Sequence, residues 1–238
     1  MEHSIRQRLN AINREFYRVT ATEFDQTRQE AWRGWEPLLP YLSSITSVLD
    51  VGCGNGRFGV YLVQHLKAHL KYHGIDSNPA LLNLAAVSLA NDAPTLQVQL
   101  DEHDIIDNLP DTGQYDLVVL FGVMHHIPGY AERQGFIRKL AEQVTSGGVL
   151  AFACWRFYEF ERFRERIIPW YETLRAEIET HDYLLDWRRG TTALRYCHYV
   201  DDNEHTELIR ASGLTELSTY RADGFSGTVN HYSILRKM

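Results

Sequence analysis

The sequence predicts an α/β fold in which a mostly parallel sheet carries helices on both faces. Three observations predict it. Short apolar runs alternate with helix-period segments from Val48 to Cys154. A glycine-rich stretch, VLDVGCGNGRFG at 48–59, lies at a strand-to-helix junction. The 238 residues are 44% hydrophobic and 23% charged, which suffices for one core with a modest insertion and leaves two full domains tight.

The elements follow in order. Ile5, Leu9, Ile12, Phe16 and Val19 recur at helical spacing, so a first helix is expected from about Ser4 to Phe24. A second, short helix is expected over Glu30–Leu42. SVLDVG reads as a buried strand, GRFGVYLVQHL as a helix and LKYHGID as a strand. NPALLNLAAVSLA reads as a helix with Pro79 in its first turn, and TLQVQL as a strand. YDLVVLFGV is a buried strand, ERQGFIRKLAEQV a helix and GGVLAFAC a strand. The rhythm then breaks. From Trp155 to about Val200 the chain is rich in Trp, Tyr and Arg and reads as helical stretches, an insertion placed where substrate selection often sits. NEHTELIRASGL is a helix stopped by Gly213, and TELSTYRA and HYSILRK are two strands that can pair as a closing hairpin on the sheet edge. The chain thus divides into a helical cap (1–45), the α/β core (46–154), the substrate-facing insertion (155–200) and a last helix with two closing strands (201–238).

Composition narrows the functional classes. Cys53, Cys154 and Cys197 are widely spaced and form no C-x-x-C pair, which argues against a disulfide framework or a cysteine-rich zinc site and for a reduced cytoplasm. No apolar run reaches transmembrane length, and the start, MEHSIRQRLNAINREF, lacks a signal peptide's apolar stretch. The net charge of -7 weighs against a protein that grips nucleic acid unaided.

The glycine loop is G-x-G-x-G at Gly52, Gly54 and Gly56, with Asp50 two residues ahead. A dinucleotide fingerprint is G-x-G-x-x-G, and no Lys-Ser/Thr pair follows, which excludes a P-loop. Asp76, in HGIDSNP at the next strand's end, suits the two hydroxyls of a ribose; the other reading is a helix N-cap, for which Ser77 or Asn78 serves as well. Asp104 can accept from an exocyclic amine and the Ile105 N–H can reach a ring nitrogen, or the acid is simply a loop residue. LFGVMHH ends the fourth strand. All of these meet at the carboxyl ends of the strands, where open parallel sheets bind ligands.

Together, these motifs resemble the class I S-adenosylmethionine-dependent methyltransferases. The resemblance implies a Rossmann-like, seven-stranded sheet and S-adenosyl-L-methionine as cofactor. It places the methionyl part over Gly52, Cys53, Gly54 and Gly56, the ribose on Asp76 beside Ser77, and the adenine near Asp104 and Ile105. Phe121, Gly122 and Val123 border it, and Asp50 contacts the methionyl end, fixes the loop through backbone N–H groups, or does both.

The flanks resemble a narrower family, the eukaryotic tRNA wobble-uridine carboxymethyl methyltransferases. FYRVTATEFDQTRQEAW supplies Tyr17, Phe24, Thr27-Arg28 and Trp32; ALRYCHYVDDNEHTELI supplies Arg195-Tyr196 and His198; Pro169-Trp170 echoes the family's insertion. Arg18 and Cys197 depart from the pattern, which favours an acid and an aromatic there. The family esterifies the carboxylate of 5-carboxymethyluridine, works in the cytoplasm and relies on a small zinc-ribbon partner. The resemblance therefore implies tRNA as substrate and an activating protein partner, with a small-molecule acid, phenol or amine as the alternative substrate and a non-catalytic binder of the cofactor as a further one.

A carboxylate is already ionised near neutral pH, so it attacks a methyl group without a general base. What the site needs is a cation to position it, and Arg28 and Arg195 are the candidates, with His198 as a further donor. Arg28 can equally hold the cofactor's own carboxylate, and Arg195 can pair with Asp201 or Asp202. Tyr17 belongs with the cofactor. Trp155, Trp170 and Tyr196 can stack a base, or the two tryptophans are core. His125 and His126 would serve as base for a phenol or amine; otherwise they are packed. HHIPGYAE lacks a clear metal-ligand set.

Overall fold

The computed structural model describes residues 1–27, 30–66, 69–189 and 191–238. The chain runs α1 (His3–Gln26), a 3-10 segment (Arg33–Tyr41), β1 (Ser47–Val51), α2 (Arg57–His65), β2 (Lys71–Asp76), α3 (Pro79–Asp92), β3 (Gln97–Glu102) and β4 (Tyr115–Phe121). It continues with α4 (Tyr130–Glu142), β5 (Val144–Trp155), α5 (Glu161–Arg164), β6 (Ile167–Ile168), α6 (Glu172–Arg175), β7 (Asp182–Arg189) and β8 (Thr191–His198). It closes with α7 (Asp202–Ser212), β9 (Thr215–Ala222) and β10 (Asn230–Arg236).

The main sheet has seven strands in the order β3-β2-β1-β4-β5-β10-β9. β1 to β5 are parallel, while β10 runs antiparallel between β5 and β9. The closing hairpin therefore forms, and of its two strands β9 lies at the sheet edge while β10 is internal. The order reverses at β1, which pairs with β2 on one side and β4 on the other, so a crevice opens beyond their carboxyl ends. Val48, Leu49 and Val51 are fully buried, as expected of a strand covered on both faces. One face of the sheet packs Trp35, Leu38, Phe58 and Leu89 against Tyr72 and Tyr232. The other packs Ile137, Leu140 and Leu208 against Leu120 and Phe152.

Two elements differ from expectation. The segment expected as a helix over Glu30–Leu42 is a 3-10 run, because Pro37 and Pro40 lie inside it and cannot donate α-helical hydrogen bonds. The insertion is not helical. It is a second, antiparallel sheet, β6-β7-β8, with α5 and α6 reduced to about one turn each. Its strands carry Trp, Tyr, Thr and Leu, residues that suit a pleated, half-buried surface. α1 lies on β8 through Ile5 and Leu9, which pack with Tyr196 and Leu174. Asp223 ties the far end down: it accepts from the Gly34 N–H (2.8 Å), the Asn230 amide (2.9 Å) and the Tyr232 hydroxyl (2.5 Å).

Candidate active site

A cleft of about 360 Å³ lies at the carboxyl end of the sheet, between the glycine loop, α1 and the insertion. The loop adopts positive φ at Gly52 (75°), Gly54 (54°) and Gly56 (77°), a region that disfavours other residues. A Cβ on Gly52 would sit 2.2 Å from a Val123 methyl, so this glycine lets two loops close on each other. A Cβ on Gly54 would meet no atom within 4 Å; Gly54 lines the cleft, and its bare backbone leaves space there for a ligand. A Cβ on Gly56 would lie 3.1 Å from Ala85 and Leu89, so this glycine lets the loop pack closely on α3.

Asp76 accepts from the backbone N–H groups of Gly54 and Asn78, each at 2.9 Å, and burial raises its pKa. The α3 cap is Asn78, which accepts from Leu81 N, so Asp76 is left to brace the loop and line the cleft. Asp50 is buried and accepts from the Tyr72 hydroxyl at 2.5 Å. Burial pushes its pKa up to about 7, the Tyr72 hydrogen bond pulls it down and the Asp76 charge pushes it up again. Asp104 accepts from Ile106 N (3.1 Å) on one oxygen and from Asn10 (2.8 Å) and Arg14 (3.3 Å) on the other. Cys53, Ser77, Ile105, Phe121, Gly122 and Val123 complete this half of the lining.

These features fit S-adenosylmethionine: open space over Gly54, an acid at the tip of β2, a second acid after β3, and a buried acid beneath the loop.

The other half of the cleft is aromatic and cationic. The Arg195 guanidinium lies 4.5 Å from the Trp155 ring, 5.4 Å from Phe16 and 5.9 Å from Trp187. Among the described residues no carboxylate pairs with it. Asp202 is taken by Arg156 (2.9 Å), and Asp201 caps α7 by accepting from Glu204 N (2.8 Å). His125 lines the cleft, 4.1 Å ring to ring from His126 and 5.3 Å from Trp155. His126 is held by three groups. Its Nε2 accepts from the Tyr17 hydroxyl at 2.9 Å, and its Nδ1 lies 3.1 Å from both the Tyr196 carbonyl and the Asn13 amide. Burial, with Arg195 nearby, pushes its pKa down to about 3, so it stays neutral.

Two expected substrate residues lie elsewhere. The Tyr196 hydroxyl donates to Asp182 (2.8 Å), and His198 sits between Asp182 and Glu204 at 2.7 Å each; both rings are buried away from the cleft. Trp170 also turns away and donates to the Asp182 carbonyl at 3.0 Å. Arg28 lies outside the described residues. Sequence reasoning missed Asn10, Asn13 and Arg14, which line the cleft from α1. Their signal was present: with Tyr17 they recur at helical spacing and so share one side of α1.

Two groups among the described residues have metal-ligand spacing: His125, His126 and Cys197, and Glu179, Asp182 and His198. In the first, both nitrogens of His126 already have polar neighbours and Arg195 adds positive charge. In the second, both nitrogens of His198 are held by carboxylates.

With this geometry in place, known proteins give a consistent picture. Residues 49–150 match the family model described as a methyltransferase domain. The chain is 23% identical over 223 residues to the tRNA (carboxymethyluridine(34)-5-O)-methyltransferase of Schizosaccharomyces pombe, covering 86% of this chain and 89% of that one. It is 24% identical over 180 residues to the probable tRNA methyltransferase 9B of Bos taurus, covering 73% of this chain. The chain spans only 36% of that longer relative. Among solved structures, a S-adenosylmethionine-dependent methyltransferase from Clostridium acetobutylicum superposes with a TM-score of 0.65 at 14% identity, covering 94% of this chain and 98% of that one.

Proposed function

We propose that this chain, which carries a methyltransferase domain on the S-adenosylmethionine-dependent methyltransferase fold, methylates a carboxylate oxygen of a carboxymethyl-type wobble uridine in tRNA. The observation that carries the reading is Arg195. It is a half-buried guanidinium boxed by aromatic rings, with no carboxylate partner among the described residues, in the same cleft as the glycine loop. A cation held this way calls for an anionic ligand. The resemblance of the flanking motifs and the S. pombe relative supply the uridine.

Bound S-adenosylmethionine supplies an electrophilic methyl group on a positively charged sulfur. This chain's residues do the rest by positioning. Arg195 orients the substrate carboxylate through paired N–H donors and stays charged. Trp155 holds the guanidinium in place and offers a face for the pyrimidine ring. The Tyr17 hydroxyl hydrogen-bonds His126 Nε2, and burial with Arg195 nearby keeps that imidazole neutral, so it is a fixed element of the wall. The nucleophile is already ionised, so no residue has to remove a proton, and the rate follows from holding oxygen and methyl within attacking distance.

The test incubates the protein with methyl-labelled S-adenosylmethionine and tRNA whose wobble uridine carries the free acid. Label that enters the tRNA and leaves as methanol in mild alkali is the expected result. A small activating protein, as the family resemblance implies, is supplied in a parallel reaction. Label confined to small molecules and stable to alkali would replace this reading with a metabolite methyltransferase, in which His125 becomes the candidate base.

A further inference from the structure

At the cleft's mouth, lined there by Arg162 and Phe163, the insertion and the β9–β10 turn together build a cluster of rings that reaches the surface at Phe225. Phe225, at the tip of that turn, is 60% exposed. It stands edge to face with Phe160 at 5.4 Å and lies 6.5 Å from Phe163. The Arg162 guanidinium covers it at 4.6 Å and lies 5.1 Å from Phe163. Phe163 in turn meets Trp155 edge to face at 4.9 Å, and Trp155 carries Arg195. A continuous track of rings and guanidinium groups thus runs from the inner pocket to the surface.

The charge along it is unusual for this chain, whose net charge is -7. Among the described residues Arg162 pairs with no carboxylate. The neighbouring acid Glu159 is held by Arg156 and Arg221, and so is neutralised. An exposed ring beside an unpaired guanidinium is the pairing that single-stranded nucleic acid uses, with base on ring and phosphate on cation. A free metabolite that fills the inner pocket would have no use for a second aromatic station outside it.

We propose that Phe225 and Arg162 form an outer subsite that stacks the base next to the target nucleotide of a single-stranded RNA and holds its phosphate. This rests on the reading of the inner pocket given above, and it adds a station for the nucleotide that neighbours the target in the strand.

The test separates the two claims. Binding of a fluorescent, single-stranded RNA with 5-carboxymethyluridine at its centre is measured by anisotropy on the full chain. Phe225→Ala weakens it by about 5- to 150-fold, the range of one lost base stack. Phe225→Tyr restores it, and Arg162→Gln weakens it and flattens its salt dependence. Methyl transfer to free 5-carboxymethyluridine is unchanged in Phe225→Ala. Equal RNA affinity in wild type and Phe225→Ala overturns the subsite, as does self-association of the wild type that Phe225→Ala abolishes without touching RNA affinity. A parallel loss with the free nucleoside also overturns it, because Phe225 would then act on the inner pocket. If the wild type methylates neither substrate, the methylation reading fails while the anisotropy still decides the subsite.

Discussion

Four consecutive residues of β8, Arg195 to His198, divide between two regions of the molecule. Arg195 points into the cleft, half-buried, over Trp155. Tyr196 and His198 point the other way, into a buried network in which Asp182 accepts from both and Glu204 joins His198 to Arg133. The pleat of the strand does this, since successive side chains leave on opposite faces. The two faces differ in how charge is handled. On the inner face every charge is matched: Arg133 meets Glu204 at 2.5 Å and Glu179 at 3.1 Å. On the cleft face a cation is left for a ligand to match. One short motif thus contributes to framework and cleft at once, and similarity across it does not assign all its residues to substrate.

The largest effect expected from breaking this division is on the framework side. His198→Ala removes the ring between two buried carboxylates and should cost about 3–5 kcal/mol of stability, read by urea denaturation. The pH dependence has a definite sign. Burial lowers the pKa of His198, but hydrogen bonds to Asp182 and Glu204 outweigh it and the net shift is upward. Its contribution is therefore full below the ordinary histidine range and is lost as pH rises through the raised value. The wild type should lose its margin over the variant on the alkaline side.

Next comes the cleft face. Arg195→Ala should lower kcat/KM for the carboxylate substrate by about 2–5 kcal/mol while leaving folding and cofactor affinity in place. Loss of cofactor binding in this variant would overturn the assignment. Asp76→Ala gives the complementary outcome: cofactor affinity falls by about 1–3 kcal/mol, measured by calorimetry, with substrate use at saturating cofactor less affected.

The comparison also shows where the sequence was legible. The apolar runs and period-3.6 segments of residues 48–154 are strong because parallel strands buried on both faces read as continuous apolar stretches between amphipathic helices, and Gly52, Gly54, Asp76 and Asp104 line one cleft. The insertion was misread because β7 and β8 bury polar residues beside apolar ones, Asp182 with Leu184 and His198 with Cys197, so no clean alternation appears. Had RYCH been read as a strand, alternation alone would have separated Arg195 from Tyr196 and His198. The aromatic rim was not legible either, because Phe163 and Phe225 are 62 positions apart and meet only through the fold.

The smallest effect concerns Asp50, and it sharpens the claim that the loop half of the cleft receives a cationic ligand. Burial holds its folded pKa at about 7, above the ordinary carboxylate value. A neutral, buried Asp50 therefore favours the folded apo-protein at low pH, and that stabilisation is lost as pH rises through about 7. A positively charged ligand at the methionyl end favours the ionised form, so its affinity should rise over the same interval, by no more than about tenfold per pH unit. Stability and affinity thus move in opposite directions across one pKa. Near neutral pH, binding should release a fraction of a proton, seen calorimetrically as a heat that depends on the buffer's ionisation enthalpy. Asp50→Asn should abolish both the release and the slope. A wild-type affinity that is flat across this interval would mean that Asp50 only fixes the loop through Tyr72 and does not face the ligand's charge.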